Sequence, residues 1–130
     1  MEIPENLNHL TEAVIGAAIA VHRAFGPGLL ETVYERAMSI ELNERKIQFE
    51  TQVQVPVLYK GQSAGDLRLD LLVDRRLVVE LKAVDALTGI HQAQVLSYLR
   101  ATNLSLGLLI NFNVTQIIRG TKRISNNHPS

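Results

Sequence analysis

Between residues 49 and 82 two stretches alternate apolar and polar side chains and a third is mainly apolar, the three broken only by two turn-like segments. Residues 49 to 59 set Val53, Val55 and Val57 against Gln52, Gln54 and Pro56. Residues 66 to 73 place Leu67, Leu69, Leu71 and Val73 on one face, and Leu77 to Leu81 form a third stretch. A period of two is the mark of a half-buried strand. The breaks, residues 60 to 65 and Asp74-Arg75-Arg76, are too short for a crossover, so the three strands are expected to run antiparallel. Pro56 lacks an amide proton and suits an edge strand or a bulge.

Helical spacing flanks this block. Leu7, Leu10, Val14, Ala17, Ala18 and Val21 predict a helix over residues 6 to 24, stopped by Gly26-Pro27-Gly28. Leu30, Val33, Ala37, Ile40 and Leu42 predict a second over 29 to 45. Val95, Leu96 and Leu99 predict a third over 91 to 102, followed by a buried strand at 106 to 111 and a short extra strand at Ile117-Ile118-Arg119. The helix before residue 106 permits a parallel crossover. The expected architecture is an α/β (α+β) domain with a mixed sheet flanked by helices, filling residues 1 to 125. Asn126 to Ser130 form a frayed polar tail. With 130 residues there is room for one domain, and with no Trp its core must come from Leu, Ile, Val and Ala.

The hairpin at Asp74-Arg75-Arg76 decides which side chains meet. Val78, Glu80 and Lys82 share a strand face because side chains alternate. If the loop has three residues, Val73 pairs with Leu77, and Asp70 then pairs with Glu80. A two-residue loop would turn one of them away. A three-residue loop usually wants a left-handed residue, a position Arg would have to take. In this register two carboxylates stand roughly 5 Å apart at Cβ, a destabilising arrangement of like charges. A proton on one of them, a hard divalent cation or the nearby Lys82 would offset the repulsion. Mg²⁺ held by such a pair can polarise a phosphoryl oxygen and lower the pKa of water, with a lysine beside it to position that water. From spacing alone, a solubilising charged strand face accounts for the same residues.

Two further groups stand out. Glu31 and Tyr34 are three residues apart on one side of a helix, although a first-turn acid and a core aromatic explain them equally well. Gln94 and Tyr98, at i and i+4, share a side of the later helix, as a polar margin or as contacts to phosphate or water. His22 has no partner His for a metal site and suits a helix end.

Cysteine is absent, which excludes disulfides, thiolate-bound zinc and iron–sulfur clusters. No apolar run approaches the roughly 20 residues of a membrane helix. Met1 to Glu5 is acidic where a secretory signal is basic, so a cytoplasmic protein with no membrane partner is expected. Formal net charge is zero, but residues 1–50 hold eight acids and four bases, and residues 51–130 five acids and nine bases. The basic half could face a polyanion; scattered surface charge explains it as well.

Gly28, Glu31 and Tyr34, within His22-Arg23-Ala24-Phe25-Gly26-Pro27-Gly28-Leu29-Leu30-Glu31, match the signature of the GxxExxY protein family. Val79 to Ala83, Ala93-Gln94, Tyr98 to Arg100 and Leu108 to Phe112 extend the resemblance from about Leu7 to Arg119. That family resembles the PD-(D/E)XK nuclease superfamily, which includes restriction endonucleases and recombination exonucleases. The resemblance implies a restriction-endonuclease-like αβββαβ core with an extra N-terminal helix, and a nuclease hydrolysing phosphodiesters of DNA or RNA with Mg²⁺ or Mn²⁺. By the same resemblance Asp70, Glu80, Glu31 and the Leu81 carbonyl would bind metal, and Lys82 would act on water. Gln94 and Tyr98, together with Tyr34, would contact substrate. Leu69 precedes Asp70 where the superfamily usually has Pro. A catalytically silent nucleic-acid-binding or protein-interaction domain is the alternative. A homodimer or a larger DNA-processing assembly would enlarge the small contact surface.

Overall fold

A computed structural model describes residues 5–126. Two helices come first, α1 (Glu5–Phe25) and α2 (Glu31–Glu44). The strands β1 (Phe49–Tyr59), β2 (Gln62–Val73) and β3 (Leu77–Lys82) follow. Next are α3 (Gly89–Thr102), β4 (Leu106–Asn111), a 3₁₀ turn at Ile117–Gly120 and β5 (Thr121–Ser125). The strands form one sheet in the order β1-β2-β3-β4-β5. Only β3 and β4 are parallel, joined through α3; the other neighbours are antiparallel. This is the expected mixed sheet with helices on both faces, and β1, which carries Pro56, is at its edge.

The layers follow from side-chain character. Val14, Ala17, Ala18 and Val21 of α1 and Met38 and Leu42 of α2 pack with Leu71, Val73, Leu77, Val79 and Leu81 on one side of the sheet. Val95 and Leu99 of α3 pack with Leu69, Val78 and Leu109 on the other. The strand β4 is buried along its whole length, which explains its unbroken Leu-Gly-Leu-Leu-Ile run: a parallel strand covered on both faces has no polar side. Its Gly107 lets α3 approach, because a Cβ there would meet Val95 Cγ1 at 2.8 Å.

Several details differ from the sequence reading. The β1–β2 turn is only Lys60-Gly61, with φ of 52° and 77°, so β2 begins at Gln62 rather than 66. Positive φ at both turn residues matches the twist of a two-residue hairpin and carries the polar Gln-Ser-Ala-Gly stretch into the ladder. Helix α3 starts at Gly89 rather than 91 because the Thr88 N–H donates to His91 Nδ1 at 3.1 Å and satisfies the helix entrance. Ile117-Ile118-Arg119 forms no strand. It winds into the 3₁₀ turn, closed by Thr121 Oγ1 donating to the Ile117 carbonyl at 2.8 Å, and the last strand comes after it. Asn126, in the expected tail, is buried and its backbone N–H donates to Ser105 O at 2.8 Å; residues 127 to 130 lie outside the described residues. Among the described residues no helix is long and apolar enough to cross a membrane.

Gly120 is the tightest point of the C-terminal turn, since a Cβ there would run into the Asn111 backbone oxygen. Gly120→Ala should therefore cost about 2–3 kcal/mol in urea unfolding, more than an exposed glycine such as Gly89 would lose.

A carboxylate fork between two strands as candidate active site

Of the two hairpins the sequence left open, the three-residue one forms: Val73 pairs with Leu77, Leu72 with Val78 and Leu71 with Val79. The left-handed positions fall to Asp74 (φ 51°) and Arg75 (φ 56°). Asp tolerates this region, whereas a long side chain such as Arg pays about 1–2 kcal/mol there. Arg76 braces the turn by donating from Nε and Nη2 to Asp74 Oδ2 at 3.1 and 2.7 Å. The Asp74 N–H donates to the Gln48 carbonyl at 2.8 Å.

One step further, Asp70 and Glu80 stand opposite each other, and there the backbone ladder ends. The Asp70 N–H donates to Glu80 Oε1 at 2.8 Å, and the Leu81 N–H donates to Asp70 Oδ2 at 2.9 Å. Each carboxylate thus takes the place that a carbonyl of the neighbouring strand would fill. The two strands separate here into a fork, and the acids bridge it. Each uses one oxygen on an amide and keeps a second.

The electrostatics are those of crowded acids in a partly dry place. Burial, followed by the Asp70 carboxylate, pushes Glu80 up to about 8, against the opposing pull of the Asp70 amide and Lys82. Glu80 is only 4% exposed. Glu31 opens α2, where a negative charge complements the helix dipole. Burial and then Asp70 raise its carboxyl, while Lys82 draws it down. From the other layer, Tyr98 of α3 is pushed up to about 12 by burial and then by Glu80 and Asp70. Asp70, Glu80, Lys82, Glu31 and Tyr98 therefore share one electrostatic field, although they come from four separate elements. Leu81 lies in the same fork through its backbone. Gln94 is exposed one helical turn before Tyr98.

Tyr34 is placed differently from its expected substrate contact. It is fully buried, stacked on Phe112 with ring centroids 4.5 Å apart. Its hydroxyl donates to the Gly26 carbonyl at 2.6 Å and accepts from the Leu29 N–H at 3.2 Å. Tyr34 shapes the loop that delivers Glu31 and does not itself face solvent. His22 Nε2 bonds the Val114 carbonyl at 2.8 Å and ties the end of α1 to the segment after β4.

Asn111 is the residue that sequence reasoning missed. Buried at the end of β4, it accepts from the Val84 N–H at 3.0 Å and donates to the Val84 carbonyl at 2.9 Å. With the Phe112 N–H donating to the Lys82 carbonyl at 2.8 Å, it fixes the strand end that presents Lys82. Its signals were a polar residue closing an apolar run and its place in the Leu108–Phe112 stretch of the resemblance.

Among the described residues no three His, Cys, Asp or Glu side chains converge closely enough to enclose an ion. In the fork Asp70 and Glu80 are each turned onto an amide, and Glu31 comes from the first turn of α2.

A family model described as the PD-(D/E)XK nuclease superfamily matches residues 8–124. The crystal structure of SSO0001 has a similar fold, with a TM-score of 0.56 and 18% sequence identity. The match covers 73% of this chain and 49% of that one, so this chain spans about half its length. No curated protein matches the chain.

Two outcomes follow from the fork and its loop. Glu80 keeps its proton to about pH 8, whereas an unfolded Glu releases it near 4.5. Over that window the native state binds more protons at this group, so the stability contributed by Glu80, measured in chelator, should be complete below about pH 4.5 and fall as pH rises towards 8. Thermal unfolding across pH should show this decline in the wild type and a flattened one in Glu80→Gln. Tyr34→Phe should keep the stack and lose two hydrogen bonds, costing about 1–2 kcal/mol in urea unfolding. Tyr34→Ala should cost about 3–5 kcal/mol.

Proposed function

Since the chain belongs to the PD-(D/E)XK nuclease superfamily, we propose that it is a divalent-metal-dependent nuclease hydrolysing phosphodiester bonds of DNA or RNA. The reciprocal bonding of Asp70 and Glu80 across the fork, with Lys82 on the same strand face as Glu80, is the observation that carries this reading. The presence of Gly28, Glu31 and Tyr34 at GxxExxY spacing supports placement within that narrower family.

The donor set fits a hard dication such as Mg²⁺ or Mn²⁺. Two carboxylates and the Leu81 carbonyl offer oxygen donors, and burial together with the neighbouring Asp70 favours a proton on Glu80 when no cation is there. Asp70, Glu80 and the Leu81 carbonyl would hold the ion, with Glu31 joining directly or through water. Such an ion supplies charge to the phosphoryl oxygen and acidity to a bound water. Lys82 then orients the attacking water or balances charge developing on the phosphate. Gln94 and Tyr98 approach from α3 to seat the phosphate. Tyr34 acts at one remove, by holding the loop before Glu31.

The deciding experiment incubates single- and double-stranded DNA and RNA with the protein and Mg²⁺ or Mn²⁺. Wild type should cleave at least one substrate, chelator should stop it, and Lys82→Ala should lose about 10²-fold or more in rate. No cleavage of any substrate by wild type sinks the proposal. Salt-dependent binding untouched by chelator, with no cleavage, would instead establish the silent nucleic-acid-binding domain.

A further inference from the structure

Gln52 lies in the middle of β1 with a φ of 53°, a left-handed conformation in the interior of a strand and on a residue other than glycine. The pairs on either side of it are regular, Thr51 with Leu71 and Val53 with Leu69, so no residue has been inserted. Gln52 and Asp70 are the step between those pairs, and neither is in the ladder at that step.

Side-chain directions change across this step. Leu71 and Val73 join the core under α1 and α2. Leu69, two residues earlier, joins the core under α3, together with Val53 and Val55 of β1. Alternation would have kept Leu69 and Leu71 on one face. Both strands of the hairpin turn over together at Gln52 and Asp70. The expected single face of Leu67, Leu69, Leu71 and Val73 fails here, because a left-handed residue resets the alternation.

The fork begins at the same step. The β2–β3 ladder ends at Leu71 and Val79, although β3 continues to Lys82 along β4. Once β2 has rolled over, the amides of Asp70 and Leu81 have no carbonyl across from them, and the two carboxylates take those amides instead. The Gln52 side chain also reaches away from its own sheet: Nε2 donates to Glu35 Oε1 at 2.7 Å, on the helix that carries Glu31.

We propose that Gln52 is a positioning residue for the acidic centre, its left-handed backbone opening the strand fork that Asp70 and Glu80 bridge and its side chain tying that fork to α2. The structural half of this stands on the fork alone; its bearing on metal binding rests on the nuclease reading. Gln52 is exposed, so exchanging its side chain opens no cavity in either core.

The test compares Gln52→Gly, which accepts a positive φ freely, with Gln52→Ile, whose β-branch resists it. The readouts are amide hydrogen exchange and ¹⁵N–¹H shifts of Asp70 and Leu81, with Mn²⁺ affinity followed by electron paramagnetic resonance. Gln52→Gly keeps the backbone conformation and loses only the tie to Glu35, so both amides should stay as in wild type while the Glu35 signals shift. Gln52→Ile should speed exchange at both by about tenfold or more and weaken Mn²⁺ by about 10–100-fold, as loss of an outer support does. The amide of Ile110 in β4 serves as the control and should not move. Should Gln52→Ile fail to fold, Gln52→Ala imposes a milder form of the same penalty and is read the same way. Amides of Asp70 and Leu81 that stay unchanged in the folded Ile or Ala variant overturn the proposal. Altered amides in a protein whose wild type binds no Mn²⁺ uphold the positioning role and remove the metal reading alone.

Discussion

Everything around the acidic centre depends on two hydrogen bonds, from the Asp70 amide to Glu80 and from the Leu81 amide to Asp70. They resolve a conflict built into the strand pairing. Two acids facing each other across a sheet repel, and two strands parting company leave amides without acceptors. Here each problem is the answer to the other. A carboxylate accepting a backbone N–H makes a stronger bond than a carbonyl does, and the amide in turn favours the charged form of the acid. For Glu80 that help is outweighed by burial and by Asp70, and its carboxyl stays in the protonated range at neutral pH.

The centre is assembled from both layers of the fold. Lys82 and Glu80 come from a strand held in the middle of the sheet, locked to β4 by six consecutive pairs. Glu31 comes from the α1/α2 side and Tyr98 from the α3 side, and both sense the same acids. The supports lie further out. Tyr34 closes the Gly26–Leu29 loop, Asn111 pins the chain just after Lys82, and His22 fastens the end of α1 to the loop beyond β4. Tyr34 and Asn111 in this way fix the segments from which Glu31 and Lys82 project.

The sequence made some of this legible and hid the rest for identifiable reasons. Strand alternation and the length of the Asp74–Arg76 loop were enough to place Asp70 opposite Glu80, because register depends only on counting. The sandwich of layers could be read because an all-apolar β4 must be covered twice. Gln52 could not be read, since glutamine has no preference for the left-handed region and nothing in the residues around it marks a turnover. Tyr34 looked the same as a substrate-facing tyrosine because spacing on a helix does not say which way the helix is rolled. The 3₁₀ turn at Ile117 was hidden by apolar residues with strand preference, and what bends it is a close approach to Asn111 that only tertiary structure reveals.

The turnover at Gln52 and Asp70 has a mechanical corollary. Beyond it, the hairpin of β1 and β2 makes no ladder with β3, and its tip carries Leu58 and Tyr59 well exposed. From Asp70 to the tip is roughly 26 Å of strand, at about 3.3 Å per residue over eight residues. Past that step the hairpin is held by α3 instead, through Leu69, Val53 and Val55. The step that parts the hairpin from β3 thus hands it to α3, so the helix that carries Tyr98 also steadies the strand that carries Asp70.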